Sequence, residues 1–413
     1  MTTETAFRRI GLGLLAALLF TTTAVQSQTP GVADRLVRIG SIMDLEGDAS
    51  SLGISMKTGL EAAMAGKRIQ GRSIEMVFMN DFYDPPHATE AAAALIEQGV
   101  FAMVGNVGSP TSKAVIPLLA ESGVPAIGFL TGAEHMGNIE GEILNFRPSY
   151  ASESASVVRA ALAAGIEPGQ ICAFAQNDAY GMSGVAGVRE ALIETDGTES
   201  LVTLYDQILA EQGDNPERNQ IGPVGVYQRN TLGIRDAYRS LKNWEQQNGK
   251  PCRLVVAVGL SVTNGLFIAY ADYKGEPWRF ATLSPASGQA LRDALVSREA
   301  TGAKVIATQI VPPLESDLPI IDEARNALDD QLSDITLEGY IVGKLFLAIA
   351  NAIDGDLNRE NFMKSARSQP FDIGGLTLDF RRGRYGSDKV YLTQLTDNGF
   401  VGISMDQLQR FLQ

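Results

Sequence analysis

Apolar residues fall into two recurring kinds of run along this chain. Leu36–Leu45 (LVRIGSIMDL), Ile74–Met79 and the group Phe101, Met103 and Val104 are short and nearly continuous, so they read as buried strands. Leu52–Met64 and the Ala-rich Pro85–Gln98, which opens behind Asp84-Pro85, carry apolar residues at helical spacing. Pro125–Leu130 (PAIGFL) adds a fourth strand that ends at Thr131-Gly132. Strand and helix alternate with short connections, which predicts a parallel sheet covered by helices on both faces. Such sheets bind ligands at the carboxyl ends of their strands.

The alternation starts again near Ser149. Ala151–Ala164 reads as a helix, Gln170–Gln176 as a strand, and NDAYG as a turn into helix Met182–Ile193. Ser200–Asp206 reads as a strand and the polar, Gly/Pro-bearing Asp214–Gly225 as a loop. Thr231–Gln247 and Thr263–Tyr273 are expected helices; Arg253–Val258, Trp278–Leu283 and Lys304–Gln309 are expected strands. Val311-Pro312-Pro313 reads as a crossing between lobes. Helices Leu318–Leu328, Leu337–Ile353 and Glu360–Ser368 follow, then closing strands Leu376–Phe380 and Val390–Leu395. No sequence repeat links the two series, yet they share an architecture, which implies two similar α/β lobes.

Composition narrows the function. The 413 residues carry a formal charge of -14, and no Lys/Arg cluster interrupts the acidic excess, so nucleic acid is not an expected partner. Arg8 and Arg9 followed by the apolar Ile10–Phe20 and small residues at Thr22–Ala24 or Val25–Ser27 read as an export signal, removed after about residue 27. No Cys follows the apolar run to carry a lipid anchor. Tyr340–Ile353 is interrupted by Lys344 and is too short for a membrane span. The two cysteines, Cys172 and Cys252, each open a predicted strand. They read either as a single disulfide, as an exported chain allows, or as two separate buried thiols.

The stretch FAMVGNVGSPTS (Phe101–Ser112) concentrates the candidate chemistry. Gly105 and Gly108 mark a tight turn, and Ser109, Pro110, Thr111 and Ser112 open a helix. Free N–H groups and hydroxyls there make a seat for a carboxylate; taken alone, the stretch reads first as hydroxyls that cap the helix. Catalytic signatures are missing. There are only two histidines, His87 and His135, and no G-x-S-x-G elbow, phosphate-binding loop or dinucleotide fingerprint. Asp44, Asp81, Asp84 and Asp178 sit at strand ends, where such residues cap helices or hold turns more often than they serve as a base. The chain reads as a binder without cofactor or metal.

IGSIMDLEGDASSLG, NDFYDPPHAT, VGNVGSPTSKAVIPL, VPAIGFLTGAEHM, NFRPSYASE, QNDAYG and TLEGYIVGKLFLA, in this order and spacing, resemble type I periplasmic solute-binding proteins of the branched-chain amino-acid (leucine-binding) family, which serve ABC importers. The resemblance runs from about Leu36 to Gly402. It implies two doubly wound parallel-sheet lobes joined by three crossings: residues 36–148 with 311–375, and residues 149–310 with 376–413. It implies a ligand carboxylate held by Ser109, with Gly108 beside it, and by Leu130, Thr131 and Gly132. Tyr180 of NDAYG and Tyr150 of NFRPSY are expected on the facing lobe. Departures lie at Leu52 and Leu260, where the family often carries aromatics. The stretch TLSPAS, which contains Ser284, lacks the acid that holds an amino acid's ammonium. An unmatched buried ammonium costs several kcal/mol. The expected ligand is therefore a carboxylate with an apolar body or a larger apolar molecule, unless Asp178 or Asp44 replaces the missing acid. The expected setting is the periplasm, as a monomer that hands a small molecule to an inner-membrane ABC permease. A ligand sensor, a carrier of a lipid-like molecule and an exported enzyme using a strand-end Asp are the competing readings.

Overall fold

The computed structural model describes residues 29–137, 141–213, 215–286, 288–397 and 399–413; the expected export signal lies outside them. The first lobe runs β1 (Leu36–Met43), α1 (Ser50–Met64), β2 (Arg68–Ile69), β3 (Arg72–Asn80), α2 (Pro85–Glu97), β4 (Met103–Val104), α3 (Ser109–Ser122), β5 (Ala126–Ile127) and β6 (Ile143–Leu144). The second runs α4 (Tyr150–Ala163), β7 (Ile171–Gln176), α5 (Ala179–Ile193), α6 (Glu199–Ala210), β8 (Val224–Tyr227), α7 (Arg235–Asn248), β9 (Leu254–Val258), α8 (Ser261–Tyr273), β10 (Arg279–Thr282), α9 (Gly288–Val296) and β11 (Val305–Gln309). The chain then returns through α10 (Pro319–Leu328), α11 (Asp334–Asn351), α12 (Arg359–Ala366), β12 (Phe371–Ile373) and β13 (Leu376–Leu378) to β14 (Tyr391–Thr396), β15 (Gly399–Gly402) and α13 (Met405–Leu412).

Two sheets result, ordered β2-β3-β1-β4-β5-β6 and β15-β14-β11-β10-β9-β7-β8. Their centres are parallel, as the alternation predicts; β2, β14 and β15 add antiparallel edges. Every residue of β7 and β9 is buried, as expected of parallel strands covered on both faces. Cys172 lies in β7 and Cys252 just before its neighbour β9, and the two are joined as a disulfide with Cα atoms 5.9 Å apart. Helices α1 and α11 cover the first sheet and nearly touch backbone to backbone. A Cβ on Gly59 would sit 2.1 Å from the Thr336 carbonyl oxygen, and one on Gly339 2.5 Å from that of Met56.

Three expectations need correction. Ser200–Asp206 is part of helix α6, because Leu201, Tyr205 and Ile208 bury one face at four- and three-residue spacing. The expected loop Asp214–Gly225 runs into β8, a fully buried edge strand. Leu376–Leu378 pairs back on β12, and Leu376, Leu378 and Phe380 join the first lobe's core. The last crossing therefore falls after Phe380 and not at residue 376. It runs beside the first one, where Asn145 N donates to the Arg384 carbonyl at 2.7 Å and Gly386 N to that of Asn145 at 2.9 Å.

Candidate functional site

The carboxyl ends of the two sheets face each other. On the first lobe, the segments after β4 and β5 run side by side: Val107 bridges Leu130 in parallel, and Gly108 N donates to the Leu130 carbonyl at 3.3 Å. Gly108 has φ +113°, and a Cβ there would lie 2.8 Å from Cε2 of Tyr83, so only glycine fits this turn. Ser109 opens α3, and its Oγ lies 2.7 Å from Oγ1 of Thr131, both residues being buried. Thr131 Oγ1 also accepts from Ala133 N at 3.2 Å, and its carbonyl takes the Asn145 side-chain amide at 2.7 Å. The hydroxyls do not cap the helix, whose N-cap is Gly108 without a side-chain capping bond; those of Ser109 and Thr131 meet each other where two loops converge.

Tyr150 stands at the start of α4, its N–H donating to the Gly132 carbonyl at 2.7 Å while the Gly132 N–H faces its hydroxyl. Its ring lies 4.9 Å from that of Tyr180, whose hydroxyl donates to the Gly259 carbonyl at 3.4 Å. Burial pushes the Tyr150 phenol up to about 12, against the opposing pull of Arg147, so it stays protonated. Leu260 packs with Ala49, Tyr83 and Leu52 into a small apolar cluster that joins the two lobes. Ser109, Thr131, Gly132, Tyr150 and Tyr180 are therefore brought into one neighbourhood, with Leu52 and Leu260 at its apolar side.

Tyr83 is the residue that sequence reasoning passed over. Phe82 and Tyr83 have φ of +51° and +54°, two successive non-glycine residues in the left-handed region. The turn is held by Asp81, whose carboxylate accepts Tyr83 N at 2.9 Å, and by Asn80, which accepts Phe82 N at 3.1 Å. It turns the Tyr83 ring onto Gly108 and its hydroxyl onto Gln176 Nε2 of the other lobe at 3.0 Å. Gln176 also accepts from the Tyr227 hydroxyl at 3.1 Å. The available signal was NDFYDPP, two aromatics between strand-end acids.

Ser284 belongs to a different arrangement. Arg147, on the first crossing, is fully buried; its guanidinium reaches Glu338 of α11 at 3.1 Å, Glu153 of α4 at 3.3 Å, and the Ser284 hydroxyl. Glu153 further accepts from Ser284 N at 3.0 Å and from the Thr308 hydroxyl at 2.5 Å. The guanidinium carbon lies 5.0 Å from the Tyr150 ring centre, so this cluster backs the tyrosine wall. Burial pulls the Arg147 pKa down, but Glu338, Tyr150 and Glu153 outweigh it and the net direction is up. Burial pushes Glu338 up to about 7, because one cation serves two carboxylates in a dry site.

Neither acid offered as a substitute is idle. Asp44 accepts from the backbone N–H groups of Glu46, Gly47 and Ala49, and Asp178 from those of Tyr180 and Gly181 and from Gln176. His135 lies in a groove outside this neighbourhood, between Lys113 and helix α5, where burial and then Lys113 lower it to about 4. Among the described residues, no group of three or more His, Cys, Asp or Glu is placed to hold a metal, and no helix is long and apolar enough to cross a membrane.

The chain is similar in sequence and fold to known binding proteins. A family model described as periplasmic binding protein matches residues 36–214. A possible leucine/isoleucine/valine-binding protein from Rhodopirellula baltica is 29% identical with a TM-score of 0.80, over 93% of this chain and 99% of that one. A Thermus thermophilus branched-chain amino-acid ABC transporter protein with bound valine has a TM-score of 0.70 at 15% identity, over 90% of this chain and 96% of that one. An ABC transporter solute-binding protein from R. palustris in complex with 4-hydroxybenzoate has a TM-score of 0.70 at 14% identity, over 89% and 96% of the two chains. A comparison with curated protein sequences gives no match.

Proposed function

We propose that this chain is a type I periplasmic binding protein of the branched-chain amino-acid (leucine-binding) subfamily and that it captures its solute between its lobes. It is a binding protein, not an enzyme, and it acts outside the cytoplasm as the substrate-binding part of an ABC import system. In our reading, residues 1–27 direct export and are removed, and the mature chain works as a monomer. The solute is small and amino-acid-like, with an apolar body. Its carboxylate rests on the Ser109 and Thr131 hydroxyls at the start of α3, where Gly108, Leu130 and Gly132 shape the turn. Tyr150 and Tyr180 cover it from the second lobe, while Leu52 and Leu260 meet its apolar part.

Capture follows from the two-lobed build. An open form exposes the seat, and a solute that touches both lobes stabilises the closed form by its extra contacts there. The closed form then presents both lobes to an inner-membrane permease. The observation that supports this reading most directly is the Ser109–Thr131 hydroxyl pair, 2.7 Å apart and buried opposite the Tyr150–Tyr180 rings. The fold itself serves solutes as different as valine and 4-hydroxybenzoate in the proteins compared above.

Thermal unfolding with branched-chain amino acids, short branched and aromatic acids, and fatty acids tests the reading. A solute present at about a hundred times its Kd is expected to add about 2.7 kcal/mol of stability. If none of them shifts the transition, and mass spectrometry of the purified protein finds no bound small molecule, the proposal fails.

A further inference from the structure

The hydrogen-bond balance at the seat narrows the solute further, and this step rests on the reading of that seat as the ligand site. A zwitterionic amino acid needs hydrogens for its carboxylate and acceptors for its ammonium. Hydrogens are in surplus here. Ser109 and Thr131 carry two hydroxyl hydrogens and use one between themselves. The Tyr83 hydroxyl accepts from Gln176 and so keeps its own hydrogen to give, and the Tyr150 phenol stands against the Gly132 turn. Burial holds both phenols in the protonated form.

Charged acceptors are already committed, and the buried amide oxygens left over, Oδ1 of Asn145 beside Thr131 and Oδ1 of Asn264 beside Gly259, carry no charge. The carbonyls of Val107 and Gly108 take the Thr111 hydroxyl, and that of Leu130 takes Gly108 N. The Thr131 carbonyl takes the Asn145 amide, and that of Gly132 takes Tyr150 N. Of the acids, Asp44 serves its own loop, Asp178 the start of α5 and Gln176, and Glu153 the Arg147 cluster. The carboxylate oxygen left without a partner is Oδ2 of Asp81, which is wholly buried beneath the Tyr83 turn. An ammonium at this seat is desolvated without a counter-charge, whereas a carboxylate meets charge-assisted donors.

We infer that the cleft takes a carboxylic acid with an apolar body and no ammonium group, and that Tyr83 and Tyr150 donate to it alongside Ser109 and Thr131. Calorimetric titration with 4-methylpentanoate, L-leucine and 3-methylbutylamine tests this, because the three share one branched body and differ only in charge. The acid is expected to bind at least about 30-fold tighter than leucine, and the amine not to bind. Tyr83→Phe and Tyr150→Phe should each weaken the acid about 5- to 30-fold, in protein that circular dichroism shows to be folded. Leucine binding as tightly as the acid overturns the inference, and its loss in Asp81→Asn would assign the ammonium to Asp81. Full affinity for the acid in both Phe variants overturns the role of the tyrosines. Absence of binding by any solute, together with no co-purified small molecule, removes the parent reading of function and this inference with it.

Discussion

Ser109 and Thr131 stand 22 residues apart in sequence and meet at 2.7 Å. Each stood out in the sequence as a hydroxyl just beyond a strand, but the sequence left a helix cap open beside an anion seat, and only the fold shows the two hydroxyls in contact. Tyr83 was not visible, because nothing in NDFYDPP announces that two residues adopt φ near +50° and swing the ring inward. Ser284 was visible as a hydroxyl beyond β10, but its partner Glu153 lies 131 residues earlier, and only packing brings them together. At this scale the decisive test is Ser109→Ala. Removing the hydroxyl deletes a donor to a charged group, so solute affinity should fall by about 1–3 kcal/mol in a calorimetric titration, with the fold unchanged.

Elements were legible where one periodicity ruled. β7 and β9 are unbroken apolar runs, and both form as expected. Segment 200–206 misled because a short stretch rich in apolar and β-branched residues suits a strand and a helix alike; the continued burial of Ile208 one turn later decides for the helix. β8 hid in a polar stretch because an edge strand covered by α7 needs only four residues. The contact of α1 with α11 carries the element-scale prediction. Because a Cβ on Gly59 would fall 2.1 Å from the Thr336 carbonyl, Gly59→Ala must push the helices apart. A loss of about 1–3 kcal/mol in chemical denaturation is expected, the usual cost of overpacking.

On the scale of the whole molecule, the Arg147 cluster ties the first crossing to α4 of one lobe and α11 of the other. Glu338, pushed up to about 7 chiefly by burial, and Asp81, pushed up to about 7 by burial and then by Asp44, hold protons in the folded state that the unfolded chain has already released. Between the ordinary carboxylate range and about pH 7 the folded state binds more protons, so stability falls as pH rises through that window. The melting temperature should therefore decline from about pH 5 to about pH 8. Glu338→Gln, which keeps an acceptor for Arg147, should flatten part of that slope; an unchanged slope would mean that Glu338 is ionised throughout.

The sequence by itself determined the α/β class, the pairing of two similar lobes and the strand ends at which chemistry gathers. These follow from local apolar periodicity and turn residues, which are read within a dozen positions. Tertiary structure alone decided that the cysteines are joined, that the last crossing falls after Phe380, and that Tyr83 spans the cleft. It also decided that hydroxyl hydrogens converge at the seat while the nearby carboxylates of Asp44, Asp178 and Glu153 serve other partners. The reason is physical: a hydrogen-bond balance depends on partners distant in sequence, and no local pattern records which of them have already been used.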